Sequence, residues 1–380
     1  MKKILFLYYR LFDQDGGQVH VGGIETYLQR LIVLTASMGF QPVVVQSARA
    51  AFERELNTAL VVGLPIKHEP FEKQPRLLYE AALRHSDPNA ILVFCTDQCS
   101  VRTDRKRAIS IQHGIFWDLP TGFPERWPWL APKLRARRNH FRQLLRALRS
   151  FDNCRNRVCV DYNFLNWYRA TTGQEVQGNV WVIPNCCSPA PEERINRPNT
   201  LPTRVIFARR FTAYRGTRLM ADVVSQILRE RTDLEFTFAG EGPDLSYLTE
   251  RFERSPHVQF VRYAPDRSVD IHLEHDIAVI PSLGSEGTSL SVAEAMGAGC
   301  AVVASSVGGI TNMILDGYNG ILAMPTANEF AAAILRLAND VAYRRELAEN
   351  AYRTAAKCFD VRIWNEKWKR VFEYVASLQP

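Results

Sequence analysis

Apolar runs of strand length alternate with amphipathic helical stretches along most of this chain, and the alternation occurs in two successive series. That pattern is the mark of βαβ units and of parallel sheets buried on both faces. In the first series, Ile4 to Tyr9, Pro42 to Gln46, Ala90 to Cys95, Ala108 to Gln112, Val158 to Val160 and Val180 to Ile183 read as strands. Glu25 to Met38 reads as a helix with Tyr27, Leu31 and Leu34 on one face. Ser188 to Thr203 is rich in Pro, Asn and charge and reads as a linker. The second series starts at Arg204, with strands at Val205–Ala208, Glu235–Ala239, Val258–Val261, Ile277–Pro281 and Ala301–Ala304. An aromatic, amphipathic helix over Val361 to Leu378 closes the chain. A length of 380 residues suits two domains. The expected division is 1–187, a linker over 188–203, a second domain over 204–358 and a terminal segment over 359–380.

Apolar residues make up 46% of the chain, enough for two cores. Eight cysteines are scattered without paired metal-ligand spacing, so reduced structural thiols are expected rather than disulfides or zinc. The start, Met-Lys-Lys-Ile-Leu-Phe-Leu-Tyr-Tyr, reads as a first buried strand, because its apolar run is too short for a signal peptide. No stretch reaches the apolar length of a membrane span. The formal charge of +7 allows acidic partners without naming one.

The segment from Ser282 to Pro325 carries the densest chemical signal. Glu286 sits among small residues, and Gly287, Thr288, Ser289, Leu290 and Ser291 lead into the helical run Val292-Ala293-Glu294-Ala295-Met296. A loop feeding a helix N-terminus presents unpaired N–H groups and the positive end of the dipole, which suits phosphate. A carboxylate before that terminus and another inside the helix can bind the hydroxyls of a sugar nucleotide. The spacing alone also fits an ordinary turn, helix and strand with two surface glutamates.

The ordered set Glu286-Gly287, Glu294-Ala295-Met296, Gly299, Val302-Val303, Gly308-Gly309 and Asp316-Gly317-Tyr318-Asn319-Gly320 resembles the donor-site signature of the retaining glycosyltransferases of family four. The resemblance implies an α/β fold of GT-B type, with two Rossmann-like domains whose parallel sheets face across a cleft. It implies transfer of a hexose from a nucleotide diphospho-sugar with retention of configuration. It assigns Glu286 to the hydroxyls of the donor sugar and Glu294 to the ribose. Amides at Gly287, Thr288, Ser289 and Leu290 would assist the phosphates.

Cleaving the bond between a sugar and a diphosphate builds negative charge on the leaving group, which needs a metal or fixed cations. Asp13-Gln14-Asp15 matches an Asp-x-Asp metal motif by letters only, and no metal or other cofactor is expected. Phe207 to Gly216 resembles the family's Gly-Arg … Lys-Gly loop. Counted back from Gly216, Arg210 takes the place of the family arginine and Arg215 that of its lysine, with Arg209 a lesser candidate. A solvated basic loop is the alternative. Gly22-Gly23 resembles the glycine loop of the acceptor domain, and His113, in Gln112-His113-Gly114, the histidine that touches the donor sugar. Asp97 is a weaker candidate at a strand end. Gly240 resembles part of a turn lining the nucleotide pocket, and Arg262-Tyr263 stands where the base usually stacks.

Residues 126–157 hold ten Arg or Lys against a single acid, Asp152, so this segment is a candidate for an anionic surface. Trp127 and Trp129 open it. From Pro132 to Phe151 the pattern is helical, with Leu134, Phe141, Leu145 and Leu148 on one face and Arg135, Arg138, Arg142, Arg146 and Arg149 on the other. Peripheral attachment to the inner face of the cell membrane, in an otherwise cytoplasmic protein, is expected. A core-facing helix with a solvated basic face is the plainer alternative. No nucleic-acid motif accompanies the charge.

Together these features point to a metal-independent hexosyltransferase of bacterial surface polysaccharide or lipopolysaccharide synthesis, acting on a glycan or lipid-linked glycan acceptor. A sugar-nucleotide epimerase or phosphorylase of the same architecture, or a non-catalytic membrane- or glycan-binding adaptor, are the alternatives.

Overall fold

The computed structural model describes residues 2–118, 131–195 and 201–379, and of residues 131–137 and 265 only the backbone. Two compact units emerge. Of the described residues, the first comprises those within 2–113, 131–183 and 365–379, the second those within 114–118, 184–195 and 201–364. The change of unit at Ile183–Pro184 lies ahead of the Pro- and Asn-rich stretch that reads as a linker.

The first unit contains strands β1 (Lys3–Tyr8), β2 (Gln41–Ser47), β3 (Phe52–Leu56), β4 (Ala59–Leu64), β5 (Ile91–Phe94), β6 (Ala108–Gln112), β7 (Asn156–Cys159) and β8 (Asn179–Val182). They form one sheet in the order β3-β4-β2-β1-β5-β6-β7-β8. Every described pairing is parallel except β3 with β4. The central strand β1 is buried on both faces, which is why Ile4 to Leu7 is an unbroken apolar run. Helices α1 (Gly23–Ser37), α2 (Gln74–His85), α3 (Ala131–Phe151) and α4 (Tyr162–Thr172) follow their strands. Asp161 caps α4 by accepting from the Phe164 N–H at 3.0 Å.

The β3–β4 hairpin has no counterpart in the strand pattern read from the sequence. Its edge strand is Phe-Glu-Arg-Glu-Leu, with Glu53, Arg54 and Glu55 exposed. Charges on an edge strand deter pairing with other chains but hide the apolar signal. Phe52 still anchors it, since a Cβ on Gly63 would stand 2.3 Å from the Phe52 ring.

The second unit contains β9 (Thr203–Ala208), β10 (Leu234–Ala239), β11 (Val258–Val261), β12 (Ile277–Ile280), β13 (Ala301–Ser305) and β14 (Ile321–Ala323), all parallel, in the order β11-β10-β9-β12-β13-β14. Its helices are the short α5 (Glu192–Ile195), then α6 (Thr217–Ile227), α7 (Leu245–Phe252), α8 (Ser268–His272), α9 (Leu290–Gly297), α10 (Ala327–Asn339) and α11 (Val341–Thr354). One core buries Phe207, Phe236 and Phe238 of β9 and β10 with Phe330 and Ile334 of α10. A second buries α9 against β12 and β13 through Val292, Ala295 and Met296. The final helix α12 (Val361–Ser377) passes from the second unit into the first at Asn365. Within the first unit the Trp368 indole N–H donates to the Tyr27 hydroxyl at 2.9 Å, and Trp368 stacks on Phe372.

In the second unit β10 lies on one side of β9 and β12 on the other. Strand order reverses there, and in open α/β sheets ligands bind outside the carboxyl ends of the strands at such a point.

Candidate active site

The carboxyl ends of β9 and β12 are neighbours, so Arg209, just past β9, stands beside Ser282, just past β12. Arg209 Nη1 donates to Ser282 Oγ at 2.6 Å, and Arg209 Nη2 to Glu286 Oε1 at 2.6 Å. The Ser282 hydroxyl donates to the same Oε1. From the other side, Arg215 Nη1 reaches Glu286 Oε2 at 2.5 Å. Arg215 ends a short turn closed by Gly216 in the left-handed region (φ +80°), where a Cβ would lie 1.8 Å from the Pro281 carbonyl oxygen. Only glycine allows that approach, which sets the Arg215 loop against the end of β12.

Glu286 is fixed through its backbone as well. Its carbonyl accepts the Gly309 N–H at 2.7 Å, and Gly308 (φ +51°) leaves no room for a Cβ beside it. Gly114 is pressed onto Gly287 in the same way. Burial resists ionisation of Glu286. The charges of Arg209 and Arg215, with the bonds from Ser282 and Arg209, overcome that resistance and hold the carboxyl well below the usual range. Burial works against the Arg209 cation and lowers its pKa. For Arg215, the attraction of Glu286 outweighs burial and the pKa rises.

Helix α9 begins at Leu290 with Ser289 as an extended N-cap whose side chain makes no capping bond. Ser289 is buried, and its Oγ has no hydrogen-bond partner among the described residues. Thr288 is buried beside it. Its Oγ1 accepts the Asn185 N–H at 2.8 Å, and its carbonyl accepts from the Asn185 side-chain amide. Glu294 is buried in the second turn of α9. Burial and the Glu294 charge push the Tyr263 hydroxyl pKa upward, while Arg209 pulls it down, so these three groups share one electrostatic neighbourhood. Gly240 (φ +141°) presses on the Arg209 carbonyl, bringing the turn after β10 to the same place. Arg262 is exposed.

The structure differs from the sequence reading at the arginines. Arg210 is exposed, and it is Arg209 that is buried against Glu286. The reason is register at the end of β9. Side chains alternate along a strand, so consecutive arginines leave it in opposite directions and one of them must face solvent. Ser282 and Asn185 are the participants the sequence reading missed. Their one signal is position, each following a proline, Pro281 and Pro184.

The remaining candidates lie in the first unit. Gly22 is the extended N-cap of α1 and Gly23 its first residue. Glu25, in that first turn, is buried and accepts the Tyr8 hydroxyl at 2.8 Å, with Arg10 at 3.8 Å. A Cβ on Gly22 would lie 2.3 Å from Glu25 Oε2, so a larger residue there would push that carboxylate aside. His113 Nε2 donates to the Cys95 carbonyl at 2.8 Å and its ring meets Tyr27 edge-on. Burial lowers its pKa to about 4 against that bond, so near pH 7 it is neutral with Nδ1 free of a proton. Asp97 is buried, and burial raises its pKa to about 7. Trp127, Trp129 and the side chains of Leu134 and Arg135 lie outside the described residues. Phe141, expected on the apolar face of α3, is 59% exposed, because the helix buries Ala147 and Phe151 near its C-terminal end.

Residues 202–340, the part of the second unit that builds this site, match the family described as "Glycosyl transferases group 1". Phosphatidyl-myo-inositol mannosyltransferase of Mycobacterium tuberculosis is 26% identical over 181 residues, which is 46% of this chain and 47% of that protein. The chain thus spans less than half the length of this curated relative. Among solved structures, sucrose-phosphate synthase of Thermosynechococcus elongatus superposes over 99% of both chains with a TM-score of 0.74 and 16% identity. HepE of Anabaena, in complex with UDP-glucose, covers all of both chains with a TM-score of 0.67 and 16% identity. Residues 202–340 thus resemble the group 1 glycosyl transferases, and the two parallel-sheet units with these structural likenesses show a GT-B fold.

Proposed function

We propose that this protein is a retaining glycosyltransferase that moves a hexose from a nucleotide diphospho-sugar to a hydroxyl of a glycan or lipid-linked glycan. The observation that carries the reading is Glu286, nearly buried and held between Arg209 and Arg215 at the switch point of the second sheet. Two cations and the N-terminus of α9 offer positive charge where a diphosphate leaving group develops negative charge. Glu286 receives hydroxyls of the transferred sugar, and Glu294 those of the ribose. Tyr263 and Gly240 line the nucleoside side. The bond from the anomeric carbon to the diphosphate oxygen breaks, and the acceptor oxygen bonds that carbon on the same face. The acceptor proton passes to the departing phosphate. No metal takes part in this scheme, so turnover should survive EDTA. Loss of activity in EDTA that Mn²⁺ restores contradicts it.

HepE supports the donor class, since its solved complex holds UDP-glucose. The mycobacterial relative is named for a lipid acceptor, and a lipid-linked acceptor at the inner face of a bacterial membrane is our reading here. The exposed Arg138, Arg142, Arg146 and Arg149 of α3, with exposed Phe141, suit an anionic bilayer surface. Among the described residues no helix is long and apolar enough to cross a membrane. The product class is bacterial surface polysaccharide or lipopolysaccharide. Purified protein given nucleotide sugars with membrane extract should form a glycosylated lipid-linked product. Donor epimerised without acceptor, or turnover that depends on inorganic phosphate, would assign it to the epimerases or phosphorylases instead.

A further inference from the structure

We propose that Ser282 is a positioning residue for sugar transfer, fixing the Glu286 carboxylate so that only one of its oxygens is engaged by Arg209. The inference rests on the donor-site reading above. Ser282 is 1% exposed just past β12, and it is not among the residues read from the sequence as donor-site candidates. Its hydroxyl closes a ring. Arg209 Nη1 donates to Ser282 Oγ, Ser282 Oγ donates to Glu286 Oε1, and Arg209 Nη2 donates to that same Oε1.

A guanidinium facing a carboxylate prefers to grip both oxygens with its two-pronged fork. Here one prong is occupied by Ser282, so Arg209 holds Glu286 by Oε1 alone. Oε2 is left on the side of Arg215, whose side chain is 30% exposed where those of Arg209 and Glu286 are 3% and 11%. Oε2 is therefore the edge of Glu286 that meets ligand. The terminal torsion of a glutamate is broad and weakly restrained. Without the serine hydroxyl, the vacated prong of Arg209 competes with Arg215 for Oε2, and the carboxylate turns towards the Arg209 fork, drawing Oε2 away from the sugar. Ser282 thus sets the orientation of Glu286 while touching neither sugar nor phosphate itself.

The test separates the sugar from the nucleotide. Binding of bare UDP, GDP and dTDP, and turnover of UDP-glucose, GDP-mannose and dTDP-glucose, are measured for wild type, Ser282→Ala and Ser282→Thr, with a melting curve for each. Ser282→Ala should keep the affinity for the bare diphosphate within about twofold, while donor turnover falls about tenfold, the size of one lost charge-assisted bond. Ser282→Thr restores the hydroxyl and should recover turnover to within about threefold of wild type. Unchanged turnover in the alanine variant overturns the proposal. An equal loss of bare-diphosphate affinity and turnover also overturns it, since that marks a general structural defect. If threonine proves too bulky to fold, the alanine variant's ratio of diphosphate affinity to turnover decides alone. Wild type that binds none of the three diphosphates overturns the donor-site reading itself, an outcome distinct from any result on Ser282.

Discussion

Arg209 and Glu286, 77 residues apart in sequence, form a charge pair with Nη2 2.6 Å from Oε1, Arg209 buried and Glu286 nearly so. Such a pair is expensive to assemble and more expensive to break, because the survivor is left charged in a poor solvent. It is held by a second arginine and a serine, at the one place in the second sheet where strand order reverses.

Removing Arg209 should therefore cost both fold and function. Arg209→Ala strands Glu286 with one cation fewer and should destabilise the protein by about 3–5 kcal/mol, the usual loss when one partner of a buried pair is deleted. Arg210→Ala, on an exposed side chain, should melt within about 0.5 kcal/mol of wild type. Arg215→Ala should weaken nucleoside diphosphate binding tenfold or more, by roughly 1.5–3 kcal/mol for a charge-assisted contact. Melting curves and calorimetry on the three variants check this. A reversal of Arg209 and Arg210 would return the register to the one read from sequence.

The two glutamates should separate by ligand. Glu286→Gln should impair donor turnover and leave bare nucleoside diphosphate affinity nearly intact, since Glu286 is assigned to the sugar. Glu294→Gln should weaken the bare nucleotide itself, because Glu294 shares its surroundings with Tyr263 on the nucleoside side. Calorimetry with the bare nucleotide reads the difference. Two variants that bind equally and turn over normally contradict the assignment.

Asp97 should give the protein a stability that falls as pH rises. It is 2% exposed, one carboxylate oxygen has no hydrogen-bond partner among the described residues, and burial lifts its pKa to about 7. In the unfolded chain an aspartate titrates near about 3.9. Between those values the folded state holds a proton that the unfolded state has released, so stability declines with rising pH across that window. Asp161, lifted by burial to about 6, adds to the same trend over the lower part of it. Glu286 runs in the opposite sense. Its contribution is fully present above the ordinary glutamate value and is lost only as pH falls through its depressed one. His113, held neutral by burial, works in the opposite sense up to about pH 6.5 in both proteins, so the check is the difference: between pH 5 and pH 8 wild type should lose melting temperature relative to Asp97→Asn. Parallel curves would show that Asp97 carries no such linkage.

Much of the architecture was legible because buried parallel strands are short apolar runs and each is followed by an amphipathic helix. Ile4 to Leu7 and Ala301 to Ala304 are plain cases. The β3–β4 hairpin was not, since an edge strand made of Glu53, Arg54 and Glu55 has no apolar face to read. At the site, Glu286 and Glu294 were read as candidates from a resemblance to a donor-site signature, the small residues and the helix around them fitting an ordinary turn equally well. The choice between Arg209 and Arg210 was not legible, because it depends on which direction a side chain leaves β9, and two identical neighbours carry no periodic signal. Ser282 was invisible for another reason. One hydroxyl after a proline means nothing until the fold puts a guanidinium and a carboxylate on either side of it.

The basic helix makes a separate prediction. Arg138, Arg142 and Arg149 are exposed on α3, and Phe141 is exposed among them. Binding to anionic liposomes should drop steeply with salt, since such attraction is screened over about 8 Å at physiological ionic strength. Replacing the three arginines with glutamine should reduce co-sedimentation and leave donor turnover with a soluble acceptor unchanged. Arg146 is left in place because it already pairs with Glu72 at 3.1 Å. Equal pelleting of wild type and variant, or none by either, would make α3 an ordinary solvated face.

The most direct test of the central claim is a thermal-shift screen of the purified full chain against UDP-, GDP- and dTDP-sugars, repeated with Glu294→Gln. A ligand bound only by the folded state raises the melting temperature by mass action. The account predicts that one nucleotide class stabilises wild type and does so less in the Glu294 variant. No shift with any of the three, or equal shifts in wild type and variant, would contradict a donor site built around Glu286 and Glu294.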